Sequence, residues 1–569
     1  MDKDDGPEDL DSEVELFQAI SHPVRIKILE ALVEKPMGFA ELGRAVRIES
    51  GGHLSFHLTK LGHLIRTNLQ GNYIITSEGK EALWTLHAQR STSSKMPAFV
   101  GNRIAILPFR NMSRDRRDDY FAEGITEEII STVCGISGLE VISRTSVMGY
   151  KGTTKNVQQI GEELRVGSVH EGSFRKVGRK IRITVQLIEA ARDRHLWGQD
   201  YDRNLGDLFS VQTDVAMRVA DALRVRVPPH EIERIEKGPT ESGTAYALYL
   251  KGRYLWNTRE QADIGRARGY FELALHEAPN FALAYVGKAD CNVTLAITWG
   301  VDRDTNLNDA KGFLTKALEL DLGKAEAHAT MGHILAHEFR PREAEVELRK
   351  GMELKPSYSE AHFWYSVDVL FGQLRWAESL EEIEKAVELD PLSQKVVNWY
   401  GIYHVLNGNY DKALQQFKRI FTFDPNYWPA HWELAMIFGR TKRYDDMRRE
   451  FSAAVRGRGG AIPLFRIKAD ALAAAMEDDH REVRRLLPQL ISQLGESSIW
   501  DVTAYDIARL YFHLGEKDNG FKWLGRSCSE KEAPLLRVAS DPDFGGIRDD
   551  PRYLDVLKRL GLEDTTQQE

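Results

Sequence analysis

MGHILAHEFRPREAEVELRKGMELKP (331–356) and YGIYHVLNGNYDKALQQFKRIFTFDP (400–425) carry one pattern. Gly332, Ala344 and Gly351 precede Pro356 at the offsets at which Gly401, Ala413 and Ile420 precede Pro425. Small residues at fixed spacing let two helices cross closely, and a proline past the second helix stops it. Asp-Pro-like helix ends recur at Pro279, Pro356, Pro391 and Pro425, with Leu322 standing in for one, and the last three intervals are 34, 35 and 34 residues. Phe271, Phe417 and Phe451 fill the core position between the small residues. The 43 residues from Pro279 to Leu322 predict an insertion of about nine residues around Trp299 to Asn308. A stack of helix pairs over 240–530 follows. Residues 531–569 form its cap and tail, with SDPDFGGIRDDPRYLDVLKRLGL (540–562) as the capping segment that a repeat array needs because its last face lacks a neighbour.

Working outward, 569 residues are enough for roughly three to five domains. The formal charge of −9, with 42% hydrophobic and 28% charged residues, excludes wholesale disorder and a polybasic nucleic-acid scaffold. The charge is uneven: 11 basic against 14 acidic residues in 1–95, 22 against 20 in 96–238, and 43 against 51 in 239–569. The repeat array is acidic, so contact with DNA is expected elsewhere. Cys134, Cys291 and Cys528 lie too far apart in sequence for a CxxC pair and make no disulfide framework, which fits a reduced cytoplasm. The acidic N-terminus has no apolar core of a signal peptide, and no run of about 18 apolar residues occurs, so neither export nor a membrane partner is expected.

In 12–90 the apolar spacing predicts helices meeting at Ser21-His22-Pro23, a short helix from Phe39 to Val46, and a fourth helix ending near Arg66. Leu54, Leu58, Leu61 and Ile65 form its core stripe, which turns Gly52, Phe56, Thr59 and His63 outward, with His53 and Lys60 on the flank. Phe56 on an outer face needs a partner, either another protein or a thymine methyl in the major groove. Residues 44–66 hold Arg44, Arg47, Lys60 and Arg66 against Glu49 alone, a local surplus suited to phosphates. Two β-prone runs around Gln70-Gly71-Asn72 predict a hairpin, and a helix from Glu78 to Gln89 closes the unit. AISHPVRIKILEAL (19–32), FAELGRAV (39–46) and LSFHLTKL (54–61) resemble the ArsR-type winged helix-turn-helix regulators. The resemblance implies a homodimer through the first and last helices, with Ser50–Lys60 in the major groove of double-stranded DNA. Candidate DNA-binding residues are Arg44, Arg47, Ser50, His53, Ser55, Phe56, His57, Thr59 and Lys60, with Gln70 and Asn72 in the wing. Met37-Gly38-Phe39-Ala40 stands where metal-sensing members carry paired cysteines, so no metal is expected there.

A polar linker, 91–101, separates this head from 102–228. There strands are expected at Arg103–Phe109, Leu139–Ile142, Ser168–Lys176, Lys180–Glu189 and His195–Tyr201, and helices at Thr126–Val133, Val157–Leu164 and Leu208–Leu223. Ile181, Ile183, Val185 and Leu187 alternate with Arg182, Thr184 and Gln186, the mark of a half-buried strand. IAILPFRNMS (104–113), YFAEGITEEII (120–130) and VHEGSFRKVGRKIRITVQLIEA (169–190) resemble the TolB-N-terminal-like α/β domain, which brings no assigned reaction. The array resembles tetratricopeptide (TPR) repeats, which implies a groove lined by the first helix of each pair. His333, His337, Trp364, Asn398, Trp432 and Arg440 are its candidate lining, suited to a protein or peptide partner.

The expected architecture is multidomain and mainly α: a winged helix-turn-helix head, a central α/β domain and a C-terminal α-solenoid. No GxxxxGK[ST], HExxH or GxSxG occurs, so no catalytic residue, cofactor or metal is expected. The expected function is a cytoplasmic DNA-binding transcriptional regulator. The alternative is a TPR signalling scaffold whose winged helix binds protein rather than DNA.

Overall fold

A computed structural model describes residues 23–46, 48, 51–68, 71–76, 79, 100–113, 115–178, 180–204, 208–459, 462–494 and 501–562. The chain forms two compact units, Met1–Ala98 and Phe99–Glu569.

In the first unit, helices α1 (Pro23–Glu34), α2 (Phe39–Ala45) and α3 (Gly51–Leu61) precede a two-stranded antiparallel hairpin, β1 (Ile65–Thr67) and β2 (Tyr73–Ile75). Ile28, Leu29, Leu32, Leu42, Leu54, Leu58, Leu61, Leu64 and Ile65 form its core. Helix α3, the predicted fourth helix, ends at Leu61 rather than near Arg66. Gly62 takes φ +49°, a single 3₁₀ turn follows, and Ile65 is buried from a strand instead of a helix. Met37 and Tyr73 exchange backbone hydrogen bonds of 3.1 and 2.8 Å, tying the hairpin to the turn between α1 and α2. The predicted helix from Glu78, the segment before Pro23 and most of the linker lie outside the described residues.

The second unit begins with β3 (Val100–Ile106), β4 (Arg110–Asn111), α4 (Asp119–Val133), β5 (Glu140–Val141), α5 (Arg144–Met148), α6 (Val157–Leu164), β6 (Val166–Val177), β7 (Lys180–Glu189), β8 (Arg194–Asn204), α7 (Leu208–Ala222) and α8 (Pro229–Glu236). The sheet order is β5-β3-β6-β7-β8, with β4 also on β6. The β3 strand runs parallel to β5 and β6, while β6, β7 and β8 form an antiparallel meander. Ile181, Ile183, Val185 and Leu187 are buried, as the alternation predicts.

Eight helix pairs follow among the described residues: α9 (Gly243–Trp256) with α10 (Gln261–Glu277), α11 (Ala282–Val293) with α12 (Arg303–Leu320), α13 (Ala325–His337) with α14 (Pro341–Leu354), α15 (Ser359–Trp364) with α16 (Trp376–Leu389), α17 (Gln394–Leu406) with α18 (Tyr410–Phe421), α19 (Trp428–Arg440) with α20 (Tyr444–Gly457), α21 (Pro463–Met476) with α22 (His480–Ser492), and α23 (Ala504–His513) with α24 (Lys517–Glu530). Helices α11 and α15 continue as π-helical turns, Thr294–Thr298 and Tyr365–Leu370. The insertion near Trp299 is thus spread over this π turn, a short connection and the 18-residue α12 rather than forming a loop. A Cβ on Gly401 would lie 2.5 Å from the Phe417 ring, and one on Gly252 or Gly287 would meet Phe271, so the small residues do set the helix crossing. After α24, two 3₁₀ turns (Ala533–Arg537 and Pro542–Ile547) and α25 (Pro551–Arg559) form the cap.

One apolar cluster runs from Ile104 through α4 to Tyr246, Tyr249, Phe271 and Cys291, so the sheet domain and the first helix pairs share a core. Polar contacts extend this seam. Arg103 binds Glu140 at 2.7 Å and Glu388 at 2.9 Å, the Ser146 hydroxyl donates to Asp390 at 2.6 Å, and the Ser357 hydroxyl donates to the Leu139 carbonyl at 2.9 Å. These partners on the array side all lie at or beside the ends of second helices, at one edge of the repeats.

Candidate functional site

Two surfaces carry the predicted site residues. In the first unit, α3 buries Leu54, Leu58 and Leu61 and leaves Gly52, Ser55, Phe56, Thr59 and Lys60 exposed. Phe56 is 56% exposed, a large value for an aromatic ring on a helix whose core face is already filled. The Thr59 hydroxyl donates to the Ser55 carbonyl at 3.0 Å, which leaves the hydroxyl oxygen's acceptor side available. Arg44 is exposed in the last turn of α2, its Nε donating to the Ala40 carbonyl at 3.3 Å. The Asn72 backbone N–H donates to the Asn68 side chain at 3.0 Å, fixing the hairpin tip.

His57 departs from its place among the candidate DNA-binding residues: it is 2% exposed. At 100° per residue it sits beside Leu61 and Leu54 on the core arc, so it cannot reach a phosphate. His63 is exposed. Arg47, Ser50, Gln70 and the side chain of His53 lie outside the described residues.

In the second unit, the Trp364 and His333 rings stack at 4.5 Å with 12° between planes, and His337 meets His333 edge-on at 4.7 Å. His333 Nδ1 lies 2.6 Å from Asp368 Oδ2. Burial pushes the His337 imidazole down to about 3, so it is neutral at ordinary pH. Asn398 is 4% exposed, and its Oδ1 has no hydrogen-bond partner among the described residues. Trp432 packs against Phe451 and Phe465 at 4.9 and 5.0 Å, a place in the core between helices. Sequence reasoning missed Asp368. Its signal was the repeat itself, because Asp368 stands one period beyond His333.

The chain's own cap occupies part of this surface. Arg440 binds Asp543 at 3.3 Å, and Asp543 also pairs with Arg509. The Arg537 guanidinium sits over the Trp399 ring at 5.6 Å. A Cβ on Gly372 would come within 2.6 Å of the Leu536 carbonyl, and Phe339 and Leu374 pack into the cap's core. The segment 533–562 therefore reaches back to the pair formed by α13 and α14.

Where α4 meets α9, Arg253 holds Glu127 and, at 3.0 Å, Asp290. Burial raises the Glu127 carboxyl, but Arg253 and Arg144 outweigh it and hold the group below its usual range. Burial, with Glu127 beside it, pushes neighbouring Glu128 up to about 7. Each of these groups has a partner inside the seam: Arg253 for Glu127 and Asp290, and the Tyr249 hydroxyl, which donates to Glu128 at 3.0 Å.

Residues 13–86 match a family model described as a domain of unknown function, DUF7347, and residues 101–216 match the HilA/YgeH-like transcriptional regulator, second domain. Among curated proteins, the chain is 36% identical over 243 residues to "Putative adenylate cyclase 3" of Rhizobium meliloti (strain 1021), covering 42% of this chain and 41% of that protein. It is 20% identical over 302 residues to transcriptional regulator HilA of Salmonella typhimurium, covering 52% and 53%. The chain thus spans about two-fifths to one-half of these relatives. Yeast Tom70 is similar at 14% identity and TM-score 0.35, covering 62% of this chain and 82% of that one. PilF of Pseudomonas aeruginosa is similar at 21% identity and TM-score 0.30, covering 38% and 93%. Residues 101–216 are therefore similar to a domain of transcriptional regulators, and the C-terminal region is a helical repeat array.

Proposed function

We propose that the chain is a cytoplasmic, non-enzymatic, DNA-binding transcriptional regulator. In this reading residues 12–90 are an ArsR-like winged helix that reads duplex DNA as a homodimer. The TolB-like α/β domain, 102–228, and the TPR array receive a protein or peptide partner. The observation that carries the proposal is the exposed strip Ser55, Phe56, Thr59 and Lys60 on α3, flanked by Arg44, over a core that is already closed. Hydroxyls and cations suit phosphates and base edges, and an exposed phenyl ring suits a thymine methyl. The regulator-domain match over 101–216 supports the same reading. Dimerisation supplies area, since a single module buries only about 600–1,000 Å² on DNA.

The second reading, a protein-binding head, draws on the same Phe56 exposure. Genome-wide crosslinking of the full chain separates the two. The regulator reading expects discrete sites whose occupancy collapses in a Phe56→Ala, Lys60→Ala double variant. Equal occupancy in the double variant would exclude base readout by α3 and leave the scaffold reading.

A further inference from the structure

His333 and His337 lie one turn apart on α13, and Asp368 stands one repeat later on the π-helical turn after α15. His333 and Asp368 are 12% and 8% exposed at their side chains, and His337 is 6% exposed. One ligand atom from each of the three lies within 4.8 Å of the others. Asp368 is already on the His333 ring at 2.6 Å, and Trp364 stacked on that ring fixes its plane. The His337 ring meets the edge of the His333 ring at 4.7 Å, which turns both imidazoles toward the same space as Asp368. Arg303, the nearby cation, donates to the His337 backbone carbonyl at 2.8 Å.

We propose that His333, His337 and Asp368 form a binding site for a borderline-soft divalent cation of the zinc class, tying the pair α13–α14 to the pair α15–α16. Two histidines at i and i+4 present their rings on one helix face, the spacing that zinc sites on helices use. Nitrogen and oxygen ligands sit about 2.0–2.1 Å from zinc, hence roughly 3.4 Å from each other, so closure needs side-chain rotations of about an ångström. Two imidazoles and one carboxylate favour zinc, cobalt or ferrous iron over calcium or magnesium, which prefer all-oxygen shells. The π turn has a local role here, since it carries Asp368 in the widened segment that faces α13; such turns recur at functional sites.

The test uses the full chain, stripped with a chelator and titrated with cobalt, read by visible absorption, and with zinc, read by calorimetry. The expected result is one cation per chain at this site. It should be weakened at least about tenfold by each of His333→Phe, His337→Ala and Asp368→Asn. His333→Phe keeps a ring stacked on Trp364, and circular dichroism checks the fold of each variant. His328→Ala serves as a control: that ring pairs with Glu347 at 2.6 Å and should leave binding unchanged. Zinc should also raise the melting temperature of the wild type and not of the three variants. No uptake by the wild type, or uptake equal in all three folded variants, would overturn the proposal.

Discussion

His170 sits at 0% exposure in β6, stacked on Phe109 at 5.7 Å, and neither ring nitrogen has a hydrogen-bond partner among the described residues. Burial holds its pKa down to about 4. Below the ordinary value near 6.5 the unfolded chain takes up a proton that the folded chain refuses, so stability is lost as pH falls from 6.5 toward 4. His170→Leu should remove up to about 2 kcal/mol of the stability lost between pH 7.5 and 5. Urea midpoints at the two pH values check this, and equal losses in both proteins would contradict it. His170 was legible in the sequence only as one position in a β-prone run, since nothing in its neighbours announces a dry, unpartnered ring. His57 was misassigned as a DNA contact although helix phase argues against it, because the same 100° arithmetic that exposes Phe56 buries it beside Leu61. Asp368 needed two steps, the repeat period and a local widening of the helix, and only the period is written in the sequence.

Each helix pair turns through the left-handed region: at Arg259, at Gly300 and Asp302 together, and at Phe339, Leu374, Gly408, Lys442, Asp478 and Gly515. Glycine adopts that conformation freely, whereas other residues pay roughly 1–2 kcal/mol. Gly408→Ala should therefore lower the stability of the array by about 1–2 kcal/mol. Lys442→Gly, at an exposed turn, should raise it by up to about 1 kcal/mol, part of the relief being offset by the freer unfolded chain. Thermal melts of the two variants check the pair, and shifts of the same sign would contradict the turn account. At this scale most elements were legible from period and punctuation: the strictly alternating β7, the α6 helix and the repeat helices fall where the pattern predicts. The end of α3 was not, because the apolar stripe runs on through Ile65 while the backbone changes from helix to strand at Gly62. The short α8 was missed because it begins on Pro228-Pro229, which reads as a break, although proline is tolerated in a first helical turn.

Across the second unit, the cores of the sheet domain and the first helix pairs are continuous, with Gly124 of α4 so close to α9 that a Cβ would lie 2.9 Å from Leu250. A signal bound anywhere along the first repeats therefore meets a packed body rather than a hinged one, and cutting the chain near 240 would strip the cover from α4. The cap laid against Trp399 and Arg440 occupies part of the surface proposed for a partner, so partner binding would have to compete with Arg537 and Asp543 or use the face around Trp364. Neither arrangement was legible in the sequence: repeat period fixes helix pairs but not which loops a separate sheet domain grips or where a cap folds back. The acidic balance of 239–569 bears on the proposed regulator as well, since that region should repel DNA while the head supplies the contact. The central claim is that α3 of the head reads duplex DNA. Fluorescence anisotropy of the full chain with labelled duplexes, over a range of salt concentrations, tests it most directly. The account predicts affinity that falls linearly in log salt, a slope reduced by about one in Lys60→Ala, and lost sequence preference in Phe56→Ala. Absence of duplex binding at low salt, or identical slope and preference in both variants, would contradict it.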